Sequence, residues 1–170
     1  MNDSLLVYKL TIMYMLEHSG SKITKAMICD FMLGGGYVSY FSLIRSLSEL
    51  RSSGFINEEN ACNRTLVSLT DEGRETLSYF SGMLSGNIRG DVDRYLSGKL
   101  PEMKQELSLT ANYIKDAAGY KAVLKTEERG NEIINITISV PDEETAEHVC
   151  AGWKDYSAGI YEYITGVLIK

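Results

Sequence analysis

Apolar positions along this chain switch between helical and strand spacing more than once, with the longest alternating stretch in the second half. Over 4–18, Leu5, Leu6, Tyr8, Leu10, Ile12, Met13, Tyr14, Met15 and Leu16 are too many for one helical stripe. A helix apolar nearly all round has to be covered on more than one side. After a stop at Gly20, Thr24 caps a second helix over about 25–33, with Ile28, Phe31 and Met32 on one side and Gly34, Gly35 and Gly36 at its end. A third helix, about 38–53, carries Tyr40, Leu43, Leu47 and Leu50 at three- and four-residue spacing and stops at Gly54.

Two short strands follow. Phe55, Ile56 and Asn57 lead into the polar turn EENACN, and 64–69 returns with Leu66 and Val67 before Ser68. Thr70 caps a fourth helix, whose positive end suits Asp71 and Glu72 and whose inner face is Gly73, Leu77, Phe80 and Leu84. Three helices, a two-stranded wing and a following helix predict a winged helix-turn-helix over 1–85.

Beyond 85 the pattern starts helical, with Ile88, Val92, Tyr95 and Leu96, then is interrupted at Gly98 and Pro101 and resumes in a short helical piece. From about 109 to 140 it alternates, with turn signals at Gly119 and in ERGN, which predicts a meander of three antiparallel strands. Ile134, Ile136, Ile138 and Val140 line one face of the last strand. Pro141 and the acids after it open a C-terminal helix whose stripe is Val149, Trp153, Tyr156, Ile160, Ile164 and Leu168, with a break near Ser157. The expected fold class is α+β: a winged helix-turn-helix over 1–85, then a lobe over 86–170 with a three-stranded antiparallel sheet covered by C-terminal helices.

Composition narrows the function classes. Apolar residues are 44% and charged residues 24% of the 170, ordinary for a globular chain. The N-terminal apolar run is too short to span a bilayer and has no basic leader, so no membrane association is expected and the cytoplasm is the expected compartment. Cys29, Cys62 and Cys150 are odd in number and far apart, which suggests no disulfide framework. Net charge is −6: 7 basic and 9 acidic residues lie in 1–85, leaving 10 and 14 of the chain's 17 and 23 for 86–170. Neither half is a basic module, so nucleic-acid binding has to rest on local arrangement.

The runs YFSLIRSLSELRSSGFI and LVSLTDEGRETL resemble winged-helix transcriptional regulators, in which a leucine-spaced helix, a glycine, an apolar pair and an L-T-x-x-G turn recur. Together with GGGYVSYFSLIRSLSEL, NIRGDVDRYL and CAGWKDYSAGIYEYITGVL, they make the whole chain similar to an uncharacterised winged-helix family of Gram-positive bacteria, domain-of-unknown-function family 4364. The resemblance implies a bacterial DNA-binding regulator and assigns no chemistry to the tail.

In such a fold the third helix enters the major groove and the wing approaches the backbone or minor groove. With Tyr40, Leu43, Leu47 and Leu50 inward, the outward line is Val38, Ser42, Arg45 and Glu49, flanked by Ser39 and Ser46. Candidate contacts to double-stranded DNA are therefore Ser39, Ser42, Arg45 and Ser46 on that helix, Lys22 and Lys25 near the second, and Asn63 and Arg64 on the wing. A homodimer is expected, because a two-fold pair would present two recognition helices to a palindromic site. The alternative is a winged helix used for protein docking or dimerisation without DNA, since Glu49, Glu58 and Glu59 would repel phosphate. In the C-terminal lobe, Tyr113, Tyr120, Trp153 and Tyr161 are candidates for an effector pocket or for an interface. No metal or cofactor set and no nucleophile–base pair is seen: the triple glycine lacks the Lys-Ser/Thr of a phosphate loop, and His148 and Cys150 fall on different helix faces. No enzymatic activity is expected.

Overall fold

The computed structural model describes residues 3–61 and 64–169, with backbone alone at 61, 106 and 107. Asn63 and Cys62 lie outside the described residues. By compactness the chain divides into two units, Met1–Met103 and Lys104–Lys170. The protein is mixed α and β, with six α-helices and two three-stranded antiparallel sheets among the described residues.

The first unit begins with α1 (Asp3–Ser19), β1 (Ile23–Thr24), α2 (Lys25–Gly34) and α3 (Tyr40–Ser52), followed by the hairpin β2 (Ile56–Ala61) and β3 (Arg64–Leu69) and by α4 (Asp71–Phe80). Leu10, Ile12, Met13, Tyr14, Met15 and Leu16 are consecutive or nearly so and all buried, which is the all-round cover that the run of apolar residues requires. That cover comes from α3, α4 and β3 of the same unit.

Side-chain caps set where the helices start. Thr24 Oγ1 accepts from the Met27 N–H at 3.2 Å, Ser39 Oγ from Ser42 N–H at 3.3 Å, and Thr70 Oγ1 from Gly73 N–H at 3.0 Å. The sheet order is β1-β3-β2, with Ile23 opposite Val67 and Ile56 opposite Leu69. Gly73 faces the Phe55 carbonyl so closely that a Cβ would collide with it, so α4 can lie against the end of the hairpin only with glycine there.

α5 (Gly86–Ser108) runs unbroken through Pro101, where an interruption was expected. A proline removes one helical N–H bond and crowds the preceding turn; here the helix continues past it, and Met103 is buried on the next turn. Most of α5 belongs to the first unit, so the expected boundary at 85/86 is not where the compact units part. Three phenol–carboxylate hydrogen bonds fasten it there. Tyr14 Oη donates to Asp93 at 3.4 Å, Tyr95 Oη to Asp30 at 2.7 Å, and Tyr37 Oη to Asp91. Burial, with the Asp30 carboxylate beside it, pushes the Tyr95 phenol well above its ordinary range.

The second unit is the meander β4 (Leu109–Asp116), β5 (Gly119–Glu128) and β6 (Asn131–Val140), then α6 (Glu143–Leu168). Arg129 and Gly130 both take positive φ, 52° and 79°, in the two-residue turn joining β5 to β6. Asp142 caps α6 by accepting from the Thr145 N–H at 2.8 Å, a bond that holds its carboxyl below the usual range. The helix shows no break at Ser157, which is itself buried. Trp153 is buried against the sheet and its Nε1–H donates to the Lys125 carbonyl at 2.9 Å. No helix among the described residues is long and apolar enough to cross a membrane.

Candidate nucleic-acid interface

Leu43, Leu47 and Leu50 are buried and anchor α3 on the core of the first unit. Positions opposite those three leucines on a helix are 41, 45, 48 and 52. All four are exposed: Phe41 is 84% accessible, and Arg45, Ser48 and Ser52 follow one, two and three turns on. Tyr40, expected inward, is 59% accessible and meets Phe41 edge-on at 6.0 Å. The inward triad is therefore the three leucines alone, and the solvent line is turned from Val38-Ser42-Arg45-Glu49 to Phe41-Arg45-Ser48-Ser52.

That rotation changes the candidate set. Ser46 is wholly buried and its hydroxyl donates to the Ser42 carbonyl at 2.7 Å, so it cannot touch a ligand from this position. Ser39 caps the helix and also donates to Ser42 Oγ at 3.0 Å, which gives both hydroxyls a structural partner. Arg45 remains on the open face, 70% of its side chain accessible, with Nε donating to Glu49 at 2.8 Å. Arg64 opens β3 and is exposed.

Charge on this face is paired rather than bare. Lys22 lies 2.6 Å from Glu59, Lys25 3.6 Å and Arg51 3.4 Å from Glu58, and Lys9 joins Arg45 on Glu49. Hydrogen bonds from Lys9 and then Arg45 hold the Glu49 carboxyl below its ordinary range. Lys22 and Glu59 are both about half exposed, and an exposed pair of this kind adds little to stability, so a phosphate can replace that carboxylate as partner at little expense. At the hairpin, Thr65 Oγ1 donates to Asn60 Oδ1 at 3.1 Å across the two strands.

The outward placement of Phe41, Ser48 and Ser52 does not show in the sequence pattern, because Tyr40 shares the spacing of the leucines. The cap spacing carried the missing signal: Ser39 as N-cap starts the helix at Tyr40, and the first turn of a surface helix need not be inward.

In the second unit, the four aromatic candidates do not converge. Tyr113 Oη donates to Glu143 and Glu147, each at 3.2 Å, and meets Tyr120 edge-on at 6.1 Å. Burial and those two carboxylates push the Tyr113 phenol up to about 12. A groove of about 490 Å³ does lie on the sheet, lined by Leu124, Ile138, Val149, Gly152, Trp153, Tyr156 and Ile160, among others. Of the four candidates only Trp153 reaches it. Burial also raises the thiols of Cys29 and Cys150, which makes neither a ready nucleophile.

No curated protein and no solved structure matches the chain. Residues 8–168 match the family described as Domain of unknown function (DUF4364), and with nearly its whole length covered the chain belongs to that family.

Proposed function

We propose that the first unit is a winged helix-turn-helix that binds double-stranded DNA, and that the chain is a non-catalytic bacterial transcriptional regulator acting in the cytoplasm as a homodimer. The observation that carries this reading is α3 itself. It stands between α2 and a hairpin in the element order of a winged helix, with its outer line of Phe41, Arg45, Ser48 and Ser52 uncovered and a guanidinium at its centre. Arg45 suits a bidentate contact to guanine, and Ser48 and Ser52 can donate to phosphate or base edges. Lys22, just before β1, Lys25 on α2, Arg51 on α3 and Arg64 on the hairpin serve as positioning cations around that line.

Protein docking is the second reading, and one observation favours it: Phe41 and Tyr40 offer an aromatic pair to solvent on a face whose cations already have acidic partners. Selection from a random-sequence duplex pool at two salt concentrations separates the two. The DNA reading expects an enriched motif whose affinity falls as salt rises. It also expects Arg45→Ala to weaken binding by about 1–3 kcal/mol, roughly tenfold to a hundredfold. Glu59→Gln, which frees Lys22 and removes a repelling charge, should tighten DNA binding and leave a protein-docking surface little changed. An absence of any enrichment at low salt would remove the DNA reading.

A further inference from the structure

We infer that α6 and the strip along β6 that it leaves uncovered on its own side of the second sheet form the interface between two copies of this chain, with the C-terminal half of each α6 seated in the partner's groove. The inference stands on the second unit alone and is independent of whether the first binds DNA.

Coverage of the sheet comes first. α6 packs chiefly on β4 and β5 and touches β6 much less. One helix is about 10 Å across, while three strands span roughly 14 Å from outer edge to outer edge. Ile134, Ile136 and Ile138 of β6 face the same side as the buried Ala122 and Leu124, being their cross-strand or next-neighbour partners. Ile134 and Ile136 stay half-buried, and Ile138 is 38% accessible. The groove of about 490 Å³ is the space a second helix would take beside α6.

The missing helix is present on the same molecule. Ser157 is the last buried residue of α6, and none of 158–169 is buried. From Tyr156 to Ile169 the chain reads YSAGIYEYITGVLI, with Glu162 its one charged residue. An isolated helical end this apolar gains nothing from water, and short helices hold together mainly through packing of an apolar face. Tyr156, Tyr163 and Val167 recur at seven and four residues, on the flank of α6 that faces the groove, where Gly152 and Tyr156 form its wall.

Stripe and groove thus adjoin each other on one copy, the arrangement a two-fold interface requires: the same patch serves both partners and residue contacts are reciprocal. The area is sufficient. Tyr156, Tyr163, Val167, Leu168, Ile169 and Ile138 are 68, 73, 51, 76, 75 and 38% accessible. At the size of large side chains that is on the order of 700 Å² per copy, against about 800 Å² for each side of a standard interface.

The test is the mass of the full chain in solution, by sedimentation equilibrium. A species of twice 19.0 kDa is expected at micromolar concentration. Val167→Glu and Tyr163→Glu, both at positions exposed in one copy, should raise the dissociation constant at least a hundredfold while the circular dichroism of the monomer stays folded. Lys154→Gln makes the same change in net charge as either on another flank of α6, and should leave the dimer intact. As a second measurement, with Cys29, Cys62 and Cys150 replaced by serine, a chain carrying both Tyr156→Cys and Tyr163→Cys should oxidise to a covalent dimer through 156–163 pairs, and Lys154→Cys should not. A wild-type monomer, a dimer indifferent to both glutamates, or cross-linking through position 154 rather than between 156 and 163 would each overturn the inference.

Discussion

The two units solve the same problem to different degrees. In the first, Ile12, Met15, Ile23, Ile28, Met32, Leu43, Leu47, Leu50, Ile56, Val67 and Val92 are all essentially inaccessible, drawn from four helices and three strands. In the second, the buried apolar residues among those described are Ala122, Leu124, Val140, Ala146 and Trp153. One helix lies on one side of a three-stranded sheet, and the other side carries Ile114 at 59% accessibility. Small units bury a lower fraction of their surface and are correspondingly marginal. The first unit closes its core and leaves exposed apolar residues at its surface, among them those on α3 and Tyr79, Phe80 and Met83, of which Phe80 was expected inward; the second leaves its core open on the side where another contact could complete it.

The largest effect that could break the comparison is at Trp153. Truncating a buried tryptophan costs about 3–5 kcal/mol, and here it also orphans the Lys125 carbonyl. Trp153→Ala should abolish amide protection throughout β4, β5 and β6, while protection in α1 and α3 survives, as read by hydrogen exchange. Loss of protection in both units together would show that they are one cooperative body.

Leu47→Ala is the matching cut in the first unit. It should lower that unit's unfolding free energy by about 2–5 kcal/mol in a denaturant titration and leave the second unit's transition in place. Thr70→Ala removes both the cap on Gly73 and the hydroxyl bond to the Gly54 carbonyl at 2.7 Å. About 1–2 kcal/mol is expected, again confined to the first unit.

The smallest effect sharpens the second unit. Tyr113 titrates at about 12 in the folded chain against 10.0 for the free group, so the folded state favours the neutral phenol. Its contribution to stability is then fully present below pH 10 and is lost as pH rises through 12. Tyr113→Phe should flatten that alkaline loss in thermal melts taken between the two values. An unchanged pH profile would mean the phenol makes no differential contact with Glu143 and Glu147.

Legibility followed the strength of the local signal. The four N-terminal helices and the hairpin were readable because Thr24, Gly54 and Thr70 punctuate them, and the meander because Ile134, Ile136, Ile138 and Val140 alternate. Pro101 misled, since a proline read locally ends a helix, whereas Met103 and the Tyr–Asp bonds keep α5 in place by contacts distant in sequence. Tyr156 and Leu168 were read as inward because they share helical spacing with Trp153, and both are exposed. Periodicity finds an apolar stripe but not its partner; a stripe that packs on its own sheet and one that awaits another chain look alike. Ser46 shows the same limit in reverse, a polar residue hidden because its hydroxyl closes on the preceding turn.

Hydrogen exchange of the full chain with and without a duplex recovered by selection tests the function most directly. Protection gained over 40–52 and at the hairpin, and reduced in Arg45→Ala, is the expected result. Tight binding that leaves α3 unchanged, or that protects only the second unit, would contradict the assignment of α3 as the reading helix.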